Sequence, residues 1–89
     1  MFVTFTDWEF DNREIAQQTA EGMWPQMKAA GATSFKATKT GENTVRSMTT
    51  WPDSATAQAA IEKMRAAALE KMSGKVTATS GGELMIDFN

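Results

Sequence analysis

Apolar and polar positions change period several times along this 89-residue chain, and each change marks an element. Phe2 to Trp8 mixes aromatic, β-branched and hydroxyl side chains, which is strand composition. Both parities carry apolar groups, Phe2 and Trp8 on one, Val3 and Phe5 on the other. A strand with one face in water is polar on one parity, so both faces of this strand are expected to be at least partly covered. Ile15, Thr19, Met23 and Met27 then recur at helical spacing, with Ala16, Ala20, Trp24 and Ala30 widening the stripe. Asp11 followed by Glu14 fits a capping box at the start, and Gly31 fits the residue just past the end. Pro25 cannot donate to the carbonyl of Glu21, which predicts a kink or interruption at Trp24-Pro25.

Ser34 to Thr40 and Thr44 to Trp51 read as two strands separated by the turn residues Gly41, Glu42 and Asn43. So short a connection makes them antiparallel neighbours. Pro52 stops the ladder, and Asp53 or Ser54 caps a second helix. Its stripe is Ala57, Ala60, Ile61, Met64, Ala68 and Met72, with Glu62, Lys63, Arg65 and Glu70 assigned to the outer face. A stripe built largely of Ala lets the helix axis lie close to a sheet. Gly74 is taken to end the helix, and Val76 to Phe88 is the last β region. Gly81-Gly82 either breaks that region with a bulge or turns it into a hairpin, and one interrupted strand is preferred.

The resulting order, β-α-β-β-α-β, predicts a single α+β domain over 1–89 with the ferredoxin-like arrangement. Four antiparallel strands form a sheet and both helices cover one face. The other face is still apolar or Thr-rich and needs a cover. A second copy of the chain can provide it by packing sheet on sheet, so a homodimer through the open sheet face is expected.

Composition narrows the chemistry. The chain has no Cys, no His and no Tyr, so thiolate and imidazole metal sites are absent and titratable side chains are carboxylates, Lys and Arg. No cofactor and no metal site is therefore expected. Nine basic and eleven acidic residues are interspersed, for a net charge of -2, which argues against nucleic-acid and anionic-membrane partners. No apolar run is long enough to span a bilayer, and Met1 to Phe5 lacks the basic and apolar regions of a signal peptide. The expectation is a soluble, cytoplasmic protein.

The third strand ending in Trp51, the Pro52-Asp53-Ser54 turn and the helix opening Ala55-Thr56-Ala57-Gln58-Ala59 resemble the dimeric α/β-barrel superfamily, which includes proteins like the antibiotic-biosynthesis monooxygenases. The resemblance implies two ferredoxin-like subunits joined sheet to sheet. Its phenol-oxidising members use an Asn, a Trp and a Tyr. Trp51 matches the Trp, while the other two positions fall at Ser47 and Ala57. Its haem-degrading members use a helix His, and that position falls at Ile61.

Candidate pocket residues are Trp51, Ser47, Trp24, Met27 and Trp8. Trp51 could wall a pocket for a flat ligand or simply pack under a helix. Trp24, with Pro25, Met23 and Met27, could form an adaptable apolar rim or fill core around the proline. Asp7, Glu9 and Asp11 could hold a hard cation or tune one another's pKa, though a solvated strand end is the plainer account. Arg46 and Glu42 are expected to form a cross-strand or intersubunit ion pair rather than a substrate clamp. Two functions follow: a homodimer with a cavity for a small hydrophobic molecule, or a cofactor-independent monooxygenase for an aromatic or quinol-type substrate, with Trp51 shaping the pocket and Ser47 or Asn43 polarising a hydroxyl.

Overall fold

The computed structural model describes residues 1–88. Its elements are β1 (Phe2–Phe10), α1 (Arg13–Ala29), β2 (Ser34–Lys39), β3 (Thr44–Trp51), α2 (Ser54–Lys71) and β4 (Gly74–Glu83). The strands form one antiparallel sheet in the order β2-β3-β1-β4. This is the ferredoxin-like α+β fold. The two-sided strand β1 takes a central position, where both of its edges are paired and both of its faces can be used.

Hydrogen bonds show which parity faces the helices. Trp51 donates its indole N–H to the Thr4 hydroxyl at 3.0 Å, Trp8 donates to the Ser47 hydroxyl at 2.9 Å, and Arg65 of α2 reaches the Thr6 hydroxyl at 3.1 Å. Thr4, Thr6 and Trp8 therefore face the helices, with Ser47, Thr49 and Trp51 beside them. Val3, Phe5 and Asp7 share the opposite face with Arg46, Met48 and Thr50. The helix-side core is built on Trp51, Met23, Met27, Met64 and the small residues of α2.

Ala57, Ala60 and Ala68 are buried, and these small side chains let α2 lie close over β1, β3 and β4. The α1 backbone approaches α2 and scarcely approaches the sheet. Met23 and Met27 reach across the space beneath it.

Several local expectations change. Asn12, not Asp11, caps α1, its side chain accepting from the Ile15 N–H at 3.2 Å. Ile15 is exposed, and the buried stripe begins at Thr19. The helix runs through Pro25 without interruption, because Met23 and Met27 are buried on either side and outweigh one missing hydrogen bond on the solvent face. Gly31 does sit just past the helix end, with φ at +112°, a left-handed conformation that favours glycine. Gly74 belongs to β4 rather than to the end of α2. A Cβ there would collide with the carbonyl of Glu9. β4 is one strand, but it ends at Glu83 rather than Phe88, and its register shift lies opposite Asp7 and Trp8, leaving Thr77 as the extra residue. Gly81 and Gly82 pair regularly with Thr4 and Val3, so the bulge expected at them lies at Thr77 instead. No helix among the described residues is long and apolar enough to cross a membrane.

Candidate functional site

The space between α1 and the sheet divides into two adjoining hollows. The inner one is a cavity of about 70 Å³ beneath both helices. The sheet supplies its floor, with Thr6 and Trp8 from β1 and Ser47 and Thr49 from β3. Met23 and Met27 of α1 and Met64 of α2 supply adaptable thioether walls. The outer hollow is a groove of about 650 Å³ between α1 and the β2–β3 side of the sheet. Ala16, Ala20, Phe35, Ala37 and Val45 line both. Three of those shared residues are Ala, and larger side chains there would close the passage.

The hydroxyls on the floor are not orphaned. Ser47 accepts from Trp8 and donates to the backbone carbonyl of Thr6 at 3.4 Å. That leaves its oxygen one lone pair for a ligand donor. Among the described residues no fully buried side-chain nitrogen or oxygen lacks a partner.

Arg65 is the only ionisable side chain on the inner wall among the described residues. The sequence assigned it to the outer face of α2, but its side chain is only 13% exposed. Its Nε donates to Thr6, and Nη1 lies 3.5 Å from the exposed carboxylate of Glu62. Burial pushes its pKa down, with the Glu62 charge opposing. A guanidinium remains charged under these conditions. The missed signal was spacing. Arg65 stands four residues after Ile61 and three before Ala68, on the flank of the stripe.

The expected pocket residues separate. Trp8, Ser47 and Met27 line the inner cavity. Trp24 is half-buried and lines the outer groove. Trp51 is fully buried and belongs to neither lining set, so it does not wall the pocket. Its indole is enclosed by core and satisfied by Thr4. Asn43 is exposed in the β2–β3 turn, where its backbone carbonyl accepts from Phe10, and it lines neither hollow. Ala57 is also completely buried, whereas Ile61 lines the inner cavity.

The acidic run does not converge. Among the described residues no group of three or more metal-binding side chains comes together. Asp7 sits on the open sheet face, where the Arg46 hydrogen bond at 2.7 Å holds its pKa below the usual carboxylate value. Arg46 thus pairs with Asp7, directly opposite in the register, rather than with Glu42. Glu9 lies 3.7 Å from Lys75.

No protein-family model matches the chain, and no curated protein matches it. Solved structures do. A protein of unknown function from Nitrosomonas europaea aligns with a TM-score of 0.72 at 21% identity, over 99% of this chain and 92% of that one. A dimeric ferredoxin-like protein from an uncultured marine organism aligns at 0.69 and 13% identity, over 100% and 99%. A candidate antibiotic biosynthesis monooxygenase from Deinococcus radiodurans aligns at 0.65 and 12% identity, over 100% and 97%. At the level of the fold the resemblance drawn from the third strand and second helix therefore holds, and the chain has the ferredoxin-like architecture that these proteins share.

Proposed function

We propose that this protein binds a small, largely apolar molecule in the hollow between α1 and the sheet, and that it does so as a homodimer. One observation carries the binding reading: a methionine-lined cavity that continues through alanines into a surface groove. Such a wall adapts to the shape of its guest. The dimer reading rests on the open sheet face. Phe5 and Met48 lie there, half-buried and outside the helix-side core, and Met85 and Phe88, in the segment that follows β4, are 91% and 94% exposed. Exposed apolar groups of this size mark an interaction surface. The likeness to a dimeric ferredoxin-like protein agrees with it.

Native mass spectrometry of the protein as purified from cells tests both parts. A dimer carrying an extra few hundred daltons supports both. A monomer at micromolar concentration removes the dimer. Failure of any apolar probe to bind removes the ligand reading.

A second reading is a cofactor-independent monooxygenase. It is favoured by the likeness to the Deinococcus radiodurans protein and by the Ser47 hydroxyl on the cavity floor. It ranks second because the cavity wall offers no carboxylate or Lys to act as a base. Oxygen uptake with quinols or naphthols, falling sharply in Ser47→Ala, would place it first.

A further inference from the structure

We propose that Arg65 makes the inner cavity selective for small amphiphilic carboxylates, seating the carboxylate on its guanidinium and leaving the apolar body to lie toward the outer groove. The inference rests on the binding reading above and names the ligand class. Arg65 uses Nε on the sheet floor, which fixes the plane of the guanidinium. Glu62 approaches Nη1 at 3.5 Å from an exposed side chain, a weak contact in water. The two terminal nitrogens carry four N–H groups, so most of that edge stays unused. Nη2 has no side-chain partner, and no fully buried polar side-chain atom among the described residues lacks one, so Nη2 keeps some accessible surface. The space Arg65 lines is the inner cavity.

Two parallel N–H groups on that edge match the two oxygens of a carboxylate, a bidentate pair stronger than a neutral hydrogen bond. The match strengthens where apolar walls limit the access of competing water. Size points the same way. The inner cavity suits a compact head, and the groove, reached past Ala16, Ala20 and Ala37, has room for a ring or branched chain. The groove also carries Arg13 and Lys39 against the single carboxylate of Glu21, so its charge favours entry of an anion. Ser47 adds a lone pair for a hydroxyl on the ligand body.

Benzoate and benzamide, nearly equal in shape but anionic and neutral respectively, test the assignment. Isothermal titration should show benzoate binding at least tenfold more tightly. In ¹⁵N spectra the Arg65 side-chain signal should shift with benzoate and stay in place with benzamide. Arg65→Met should abolish the preference for benzoate over benzamide. Should that variant not fold, the comparison of the two probes on the unaltered protein decides alone. Equal affinities would overturn the Arg65 assignment and keep the apolar site. Failure of both probes, together with failure of toluene, would overturn the site itself.

Discussion

The indole N–H of Trp8 and the hydroxyl of Ser47 meet at 2.9 Å diagonally across the two central strands, since Ser47 stands directly opposite Thr6 and Trp8 opposite Val45. The contact fixes the Trp8 ring at the edge of the cavity floor. Ser47→Ala leaves a half-buried indole N–H without its acceptor. The expected loss is about 1 kcal/mol, the low end for an unsatisfied donor because Trp8 retains some access to water. Urea unfolding should show a lower midpoint with an unchanged slope. An unchanged midpoint would mean that water replaces Ser47 at no cost.

The pair Trp51 and Thr4 is deeper, and its loss should weigh more. Thr4→Val keeps the shape and removes the acceptor of a fully buried indole, which should cost about 1–3 kcal/mol. Trp51→Phe removes the donor as well as part of the ring. The double variant should therefore be less destabilised than the sum of the singles, by about 0.5 kcal/mol or more. Strict additivity in a double-mutant cycle would show that the hydrogen bond contributes nothing of its own.

Acid sensitivity should reside partly in Asp53. Its carboxylate accepts from the Thr56 N–H at 2.8 Å as the cap of α2, and this hydrogen bond holds its pKa below the usual value. The unfolded chain then binds the proton more readily than the folded one. The stabilisation is complete above the unfolded pKa of about 3.9 and fades as pH falls through the lower folded value. Asp53→Asn keeps a good cap acceptor and removes the titration. Melting curves of that variant should match the parent near pH 7 and decline less steeply between pH 5 and 2.

Close approach of α2 to the sheet predicts intolerance of bulk. Ala60 is buried on the sheet side, and Ala60→Trp forces a large ring into that contact. Overpacking of this kind costs about 1–3 kcal/mol or more, read as a lowered melting temperature. A variant as stable as the parent would mean that the helix shifts freely.

Element order and the two antiparallel hairpin strands were legible because each element announces itself by period and each boundary by Pro, Gly, Asp or Asn. The stop at Trp51-Pro52 and the cap at Asp53 are of this kind. Parity was harder to read. The helix-facing side of β1 carries Thr4 and Thr6, hydroxyls that look like solvent positions until Trp51 and Arg65 are seen bonded to them. The same gap hid Arg65, because a charge on the flank of a helical stripe reads as surface unless a partner strand reveals its acceptor. The prominence of Trp51 misled in the other direction. An aromatic at a strand end suggests a pocket wall, whereas here the residue closes the core. The glycine pair at 81–82 also drew the bulge away from Thr77, where only the register of β1 against β4 reveals it.

The separation of α1 from the sheet has a consequence in time. An element anchored mainly through a neighbouring helix and two methionines opens with less work than one laid flat on strands. Pro25 lowers that work further by leaving the carbonyl of Glu21 without its helical donor. Amide protons of α1 should exchange with solvent well before those of α2, and an occupied cavity should slow them most. The slowest event in the life of a bound complex would then be the lifting of one helix.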